Sequence, residues 1–271
     1  AFPRLMVNVV NGGKHAGWNF DIQEFMVIPK SNIPTESTRI ATEIFQALGS
    51  GLKKQKLSTL VGDEGGYSPA LSSNEAVLGE ILSAAQTAGY ENVKDFRFAL
   101  DCAATEFFED GKYLLKKTNE TKTPSQMIEY YQKVGQEYNI ESFEDPFAED
   151  DWDTFRTFSE LAEQFKFTVV GDDLFVTNPE RIQKGIDMKS ANAVLIKLNQ
   201  IGSVLETVQA IKMTQAAGWK VAVSHRSGET EDSFIADLAY GAGADFIKTG
   251  SMSRSERLAK YNRLLEIEQG M

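Results

Sequence analysis

Charged or titratable residues end six strand-like segments of this chain. The six end residues are three acids, two lysines and one histidine: Asp101, Glu144, Asp172, Lys197, Lys248 and His225. Packing alone does not explain why apolar runs should stop on such groups. In a closed parallel barrel the carboxyl ends of the strands meet at one mouth, where barrel enzymes have their chemistry. The sequence therefore predicts a single site built from strand ends.

The three acids predict a site for a divalent cation. At neighbouring strand ends Asp101, Glu144 and Asp172 would lie close together, and their mutual repulsion would raise their pKa values. A bound cation would remove that repulsion. Hard oxygen ligands without a His or Cys cluster favour Mg²⁺ over zinc. The alternative for each acid is a helix cap or an ion pair with Lys or Arg.

The two lysines predict a base or a charge-stabilising group across the mouth from the metal. A lysine acts as a base only if its pKa falls from about 10.4 toward 7 or 8, which is roughly 4 kcal/mol of differential stabilisation. We expect a nearby cation and a second ammonium to favour that fall for Lys197 and Lys248. The alternative for either lysine alone is a surface residue whose stem packs on apolar side chains.

The segment VSHRSGETED predicts an anion site where a strand becomes a loop. His225, Arg226 and Ser227 are consecutive there, and guanidinium, hydroxyl and backbone N–H groups suit phosphate oxygens. An ordinary polar turn is the alternative explanation.

Two further loops could bring glutamates to the same mouth. Glu64 follows Asp63 on a glycine-flanked loop, and Gln23 and Glu24 begin the second strand pattern. Two glutamates at one site can share a proton, which makes one of them a general acid near neutral pH. The alternative for each is a solvated loop residue, and His15 in NGGKHAG is open to the same two explanations.

The composition is typical of a globular protein and excludes some functions. Of the 271 residues 42% are hydrophobic and 25% are charged, and one barrel domain typically takes about 250 residues. The net charge of −11 argues against nucleic acid as the main partner. The single cysteine, Cys102, cannot form an internal disulfide, and no apolar run approaches a membrane span of roughly 20 residues. We therefore expect no membrane span and, by default, a cytoplasmic protein.

The order of elements predicts an α/β fold of the TIM type. Two strand patterns, MVNVV and DIQEFMVIP, are joined by a connection too short for a crossover helix, so we expect an antiparallel first strand pair. Two helices follow, and from Phe96 onward a strand–helix unit repeats six times. Thr123 and Asn178, each followed by proline, predict two helix starts. The result is one domain over 1–271: an eight-stranded barrel, ββαα and then six βα units.

Long, ordered motifs of the chain resemble those of the enolase family, the phosphopyruvate hydratases. They run from about residue 8 to residue 263 and include NGGKHAG, QEFMVIP, VGDEGG, LDCAATEF, FEDPFAEDDW, GDDLFVTNP, LIKLNQIGS, VSHRSGETED and IKTGSMSRSERLAKYN. The resemblance implies a barrel that begins with an antiparallel strand pair. It also implies a glycolytic lyase that catalyses the Mg²⁺-dependent, reversible dehydration of 2-phosphoglycerate to phosphoenolpyruvate.

The resemblance implies a role for each candidate residue. Mg²⁺ would be held by Asp101, Glu144 and Asp172. Lys197 would remove the proton alpha to the carboxylate, and Glu64, assisted by Glu24, would protonate the departing hydroxyl. The remaining residues would contact substrate: Lys248 at the enolate, Arg226 and Ser227 at the phosphate, and His15, Gln23 and His225 along the pocket.

Departures from the family give further expectations. The family's N-terminal α+β domain, with its mobile loop that closes over substrate, is absent from this chain, which starts at Ala1 as a domain or fragment would. We therefore expect poor turnover by the barrel alone. KSNIPTEST also departs from the family. If the barrel alone turned over substrate as fast as the barrel joined to an N-terminal domain, the segment after Pro29 would be the first candidate for a loop that closes the site.

Alternatives from other classes stay open at this point. Full-length enolases are commonly homodimers, and some members of the family serve as surface receptors or lens proteins. The resemblance therefore allows a secondary cell-surface presence and a non-catalytic binding or structural role. A related enzyme for a non-phosphorylated acid would leave Arg226 and Ser227 without a purpose.

Overall fold

A closed barrel of eight strands is the centre of the computed structural model, which describes all 271 residues. The strands of the chain are β1 (Arg4–Asn11), β2 (Glu24–Pro29), β3 (Phe96–Asp101), β4 (Phe108–Glu109), β5 (Lys112–Leu115), β6 (Glu120–Lys122), β7 (Ile140–Glu144), β8 (Thr168–Gly171), β9 (Ala193–Ile196), β10 (Lys220–Ser224) and β11 (Phe246–Lys248). Around the barrel the order is β1-β11-β10-β9-β8-β7-β3-β2. The strand β2 runs antiparallel to both of its neighbours, and the other barrel pairs are parallel. The predicted barrel with its antiparallel first pair is confirmed.

Helices cover the outside of the barrel. They are α1 (Pro34–Lys54), α2 (Asn74–Thr87), α3 (Pro124–Tyr138), α4 (Trp152–Phe165), α5 (Pro179–Met188), α6 (Leu198–Ile201), α7 (Val204–Ala216), α8 (Phe234–Gly241) and α9 (Ser255–Glu268). Thr123 and Gln126 form the predicted capping box of α3, and the Asn178 side chain caps α5. None of the helices combines the length and the apolar character needed to cross a membrane.

The apolar residues form two separate layers, one inside the barrel and one outside it. The inner layer is small and consists of Met6, Met26, Ile28, Ala99, Val170, Ala193, Leu195, Ala222 and Phe246. The outer layer, between strands and helices, contains 58 buried residues. Strands buried on both faces read as nearly continuous apolar runs, which is why the charged residues at their ends stand out in the sequence. The inner layer is the floor beneath the predicted site.

Two small features were not predicted from the sequence. Strands β4, β5 and β6 form a separate three-stranded antiparallel sheet between β3 and α3, and the one-turn helix α6 lies between β9 and α7. Strands of two to four residues are too short to show a clear alternation of apolar and polar side chains. The strand–helix repeat therefore stands, with an insertion in its first unit.

The segment after Pro29 is not placed to close the site. Because β2 is antiparallel, its last residue Pro29 pairs with Phe96, the first residue of β3, at the end of the barrel opposite to the predicted mouth. The backbone N–H and the hydroxyl of Thr35 both donate to a Glu268 carboxylate oxygen at 2.8 Å, which ties this segment to α9. It cannot close over the strand-end residues.

Candidate active site

The strand register brings the predicted acids together at the mouth, the end of the barrel formed by the carboxyl ends of the parallel strands. Asp101 of β3 pairs with Glu144 of β7 on one side and with Glu24 of β2 on the other. Because β2 runs in the opposite direction, its first residue lies at the mouth, where the parallel strands present their last. This explains how Gln23 and Glu24 reach a site built from strand ends.

A cleft of about 350 Å³ opens at the mouth and contains almost every predicted residue. Its lining residues are Lys14, His15, Gln23, Glu24, Asp63, Glu64, Asp101, Ala103, Glu106, Asp172, Asp173, Lys197, Ser224, His225, Arg226, Ser227 and Lys248. Of the predicted residues only Glu144 is missing from the lining, because its side chain is fully buried beneath the cleft. The structure therefore brings the predicted residues into one place, and their roles stay predictions.

Lys248 lies at the centre of three buried carboxylates. Its Nζ is 2.8 Å from Asp101 Oδ2, 2.8 Å from Glu144 Oε1 and 3.2 Å from Glu24 Oε1. Burial on its own would lower the pKa of Lys248, but the charges of Asp101 and Glu144 outweigh it, and the pKa lies well above the ordinary lysine value. Lys248 is therefore a permanent positive charge at the floor of the cleft.

Lys197 is also held as an ammonium. It follows β9, and its Nζ lies 2.5 Å from Asp172 Oδ2. Burial acts to lower the pKa of Lys197, whereas the charges of Asp172 and Glu144 raise it, and the net result is a raised pKa. The fall in pKa that we expected for the two lysines depends on a cation bound beside them, and it stays a prediction.

The pKa values of two of the strand-end acids shift in opposite directions. Burial, followed by repulsion from Asp101, raises the pKa of Glu144 well above its ordinary value. Burial acts in the same direction on Asp101, but the Lys248 ammonium outweighs it and lowers the pKa of Asp101. The expectation that repulsion raises the pKa values is thus confirmed for Glu144 and wrong for Asp101.

Glu24 and Glu64 form a buried pair whose pKa values shift in opposite directions. Burial and then the negative charge of Glu64 raise the pKa of Glu24 well above the ordinary value. Burial opposes ionisation of Glu64 too, yet contacts with His225 and Lys248 hold its pKa well below the ordinary value. A side-chain amide of Asn8 also donates to Glu64 Oε2 at 3.0 Å. Of the two, Glu24 is the residue whose surroundings favour the protonated form.

The remaining predicted residues lie beside the Glu24 and Glu64 pair or at the rim of the cleft. His15 lies in a short 3-10 turn, Gly13–Ala16, with Nδ1 3.6 Å from Glu64 Oε1. His225 is buried, and its Nε2 is 3.4 Å from the same oxygen. Arg226 and Ser227 are exposed, and an Arg226 guanidinium nitrogen donates to Asn199 Oδ1 at 2.8 Å. Two exposed donors at the rim are free to meet an anion from solvent.

Sequence reasoning missed two buried polar residues that organise the mouth. The carboxylate oxygens of Asp145 accept the backbone N–H groups of Asp172 at 3.0 Å and Asp173 at 2.6 Å, so Asp145 fixes the strand end that carries Asp172. Asn8 is fully buried on β1 and contacts Glu64. The signals were present, since an acid follows Glu144 directly and an asparagine interrupts the apolar run MVNVV.

The family model described as "Enolase, C-terminal TIM barrel domain" matches residues 1–271, which is the whole sequence. The chain belongs to the enolase family. Enolases of this family are typically lyases, and their barrel domain is associated with metal binding, which agrees with the acid-rich mouth.

The carboxylates at the mouth of this enolase barrel fit a hard divalent cation. Glu144 Oε2 and Asp172 Oδ1 are buried and have no hydrogen-bond partner. A buried carboxylate oxygen without a partner is costly, and oxygen ligands of this kind suit Mg²⁺ or Ca²⁺. Ligand atoms of Asp145, Asp172 and Asp173 also lie within 4.8 Å of one another, but Asp145 is already engaged by two backbone N–H groups. Of the predicted metal ligands, Glu144 and Asp172 therefore offer unpartnered oxygens, and Glu24 Oε2 at the same mouth is unpartnered as well.

Proposed function

We propose that this enolase barrel carries the site for the Mg²⁺-dependent, reversible dehydration of 2-phosphoglycerate to phosphoenolpyruvate. One observation carries the proposal. One buried and one half-buried lysine, three strand-end acids and a buried pair of glutamates line or underlie one cleft. A binding or structural protein has no need to bury so many charges around a common space.

The proposed metal ligands are Asp101, Glu144 and Asp172, the last two of which offer unpartnered oxygens. When bound, Mg²⁺ would supply positive charge to these carboxylates and to the substrate carboxylate, which would favour loss of the alpha proton and lower the pKa of Lys197. The contribution of the fold to this step is to hold the three acids at fixed positions at the ends of separate strands.

The proposed base is the amine of Lys197. Its side chain lines the cleft at the end of β9, and Asp172 holds it in place. In its neutral form the amine lone pair would take the alpha proton of the substrate, and the electron pair of the broken C–H bond would move toward the carboxylate. Lys248, a permanent cation in the same cleft, would stabilise the charge that develops there.

The proposed acid is the Glu24 and Glu64 pair. Its shared proton would pass to the departing hydroxyl, which leaves as water when the C–O bond breaks and the new C=C bond forms. Arg226 and Ser227 at the rim would hold the phosphate, while His15 and Gln23 line the pocket beside the pair. Each substrate group would then meet side chains of complementary chemistry: the anionic groups meet cations, and the hydroxyl meets an acid.

Hydrogen exchange at the alpha carbon separates the base from the acid. With Mg²⁺ and 2-phosphoglycerate in deuterated water, we expect Lys197→Ala to abolish exchange of the alpha proton, because no other base is positioned to remove it. Glu64→Gln should block formation of phosphoenolpyruvate but leave exchange detectable. Lys220→Ala is a matched control, since Lys220 begins β10 at the opposite end of the barrel.

Two outcomes would contradict these roles. Exchange that persists in Lys197→Ala would remove Lys197 as the base, and the reversed pattern would exchange the two roles. If the unchanged chain binds Mg²⁺ but catalyses no exchange, even when joined to an enolase N-terminal domain, a non-catalytic binding or structural function becomes the better proposal.

Family membership also supports three broader proposals. We propose a glycolytic role in the cytoplasm, assembly as a homodimer when an N-terminal domain is joined to the barrel, and slow turnover by the barrel alone. Water exclusion and positioning lower reaction barriers by many kcal/mol, so a barrel without a closing loop should be slower by orders of magnitude. An absorbance assay for phosphoenolpyruvate on both forms tests this, and equal rates would contradict it.

A further inference from the structure

The motif RSERLAK places a buried arginine under the mouth, and the proposed reaction does not use it. Arg257, near the start of α9, has no exposed surface. Its nearest carboxylate oxygen, on Glu256, lies 3.9 Å from Nε, too far for a hydrogen bond. A buried guanidinium without a paired acid is costly, so its other contacts are of interest.

The guanidinium donates to four acceptors on two loops. The acceptors are His225 Nδ1 at 2.6 Å, the Arg226 carbonyl at 2.7 Å, the Ser227 carbonyl at 2.7 Å and the Asp63 carbonyl at 3.0 Å. Three of these belong to the loop after β10, and the fourth is next to Glu64 in sequence. One side chain therefore joins the loop of His225 to the loop of Glu64.

The contact with His225 determines where the imidazole carries its proton. A guanidinium has only donors, so Nδ1 must accept and the single N–H of a neutral ring must be on Nε2. Burial, opposed by Glu64 and aided by the Arg257 charge, lowers the pKa of His225, which agrees with a neutral ring. Nε2 has no hydrogen-bond partner and lies 3.4 Å from Glu64 Oε1. In this tautomer the N–H is on the ring nitrogen that lies beside Glu64.

We propose that Arg257 is a positioning residue that fixes the Nε2–H tautomer of His225 and directs this N–H at Glu64. A donor at that point would stabilise the Glu64 carboxylate. The value of this arrangement for catalysis rests on the proposed function. The tautomer itself is a property of the folded chain and can be measured without substrate.

Nitrogen NMR of the imidazole rings tests the proposal directly. The chain has two histidines, so the ¹⁵N spectrum is simple, and His15→Gln assigns it. At neutral pH we expect His225 to be a neutral ring in the Nε2–H form alone. In Arg257→Met we expect a mixture in which the Nδ1–H form is detectable, because Nδ1 loses its donor and nearby carbonyls lose theirs. The His225 spectrum of Arg257→Lys should differ less from that of the unchanged protein, because an ammonium group, like a guanidinium, has only donors.

Lys260→Met is the matched control. Lys260 lies one turn further along α9, is also buried, and donates to the carbonyls of Thr230 and Glu256, so it holds the same loop without touching His225. We expect its His225 spectrum to match that of the unchanged protein. An equal shift in Lys260→Met would overturn the proposal, because general loop anchoring would then explain the tautomer.

Two other results would also overturn it. One is a single Nε2–H form in folded Arg257→Met. The other is an Nδ1–H or doubly protonated His225 in the unchanged protein, which decides the matter even if the variant does not fold. None of these NMR readouts depends on turnover. If the unchanged chain catalysed no alpha-proton exchange, the proposed lyase function would be contradicted, but the tautomer result would still hold.

Discussion

Lys248 shows how single residues at this mouth depend on one another. Its ammonium contacts Asp101, Glu144 and Glu24 within 3.2 Å, and all four side chains are buried. A buried ion pair adds little stability compared with apolar packing, but removal of one partner leaves a buried charge uncompensated. The fold therefore tolerates these acids because the lysine is present.

Replacement of Lys248 by methionine should destabilise the protein by about 3–5 kcal/mol at neutral pH. The loss should shrink as the pH falls, because protonation removes the charges of the stranded acids, and Mg²⁺ should recover part of it. Urea unfolding at two pH values measures this. Lys14→Met is the control, since Lys14 makes an exposed ion pair with Glu106 at 3.2 Å and should change stability by less than about 1 kcal/mol. Equal effects of the two changes would contradict the central place of Lys248.

At the scale of elements, the loop between α1 and α2 that carries Glu64 is fastened on both sides. The Gly66 N–H donates to Asn11 Oδ1 at 3.0 Å, and the Ser251 N–H donates to the Glu64 carbonyl at 3.0 Å. Gly65 between them has φ +88°, and a Cβ there would lie 2.7 Å from Ser253 Oγ and 2.8 Å from the Ser253 carbonyl oxygen. The loop is thus pressed against the segment after β11.

Gly65→Ala should therefore cost more than a positive φ alone explains. Gly89 after α2 also has φ +88°, but a Cβ there meets nothing within 4 Å. We expect Gly89→Ala to lower the free energy of unfolding by about 1 kcal/mol, and Gly65→Ala by roughly 1–3 kcal/mol more. Alpha-proton exchange should fall only in Gly65→Ala, because only that change displaces Glu64. Equal unfolding curves for the two variants would show that the loop adapts freely.

The elements themselves were largely predictable, and the failures have physical reasons. Apolar runs, N-cap residues and prolines located the barrel strands and most helices, because these signals are local. The sheet of β4, β5 and β6 was missed since its strands are two to four residues long. The segment after Pro29 lies opposite the mouth because β2 is antiparallel, so it is excluded as a closing loop.

The candidate site was predictable in its members but not in its electrostatics. Strand ends and motifs identified the residues that line the cleft, because convergence follows from barrel topology. The raised pKa of Lys197 and the lowered pKa of Asp101 depend on which neighbours lie within a few ångströms, and no spacing in the sequence specifies that. The contacts that Asp145 and Arg257 make with the backbone of distant loops depend on the folded chain, so the sequence does not reveal them.

At the scale of the whole molecule, the cation site should act as a source of stability. A ligand that binds only the folded state adds RT ln(1 + [L]/Kd), which is about 2.7 kcal/mol at a hundredfold excess over Kd. The acids proposed to hold it lie at the ends of three separate strands, so one ion would tie β3, β7 and β8 together.

We therefore expect Mg²⁺ to raise the melting temperature of the chain. Thermal melts with and without Mg²⁺ measure the effect, and Asp172→Asn should reduce it strongly. Asp187→Asn is the control, because Asp187 on α5 contacts only the exposed side chain of Gln183. A midpoint that Mg²⁺ does not move, or moves equally in Asp172→Asn, would mean that the metal site is assigned to the wrong residues.

The pairing of β1 with β11 has a consequence for folding during translation. Arg4 pairs with Phe246, so the barrel cannot close until nearly the whole chain has been translated. At about 5–20 residues per second, β1 waits on the order of ten to fifty seconds with one edge unpaired. An open strand edge can pair with another chain, and this interval is therefore when a nascent chain most needs a chaperone.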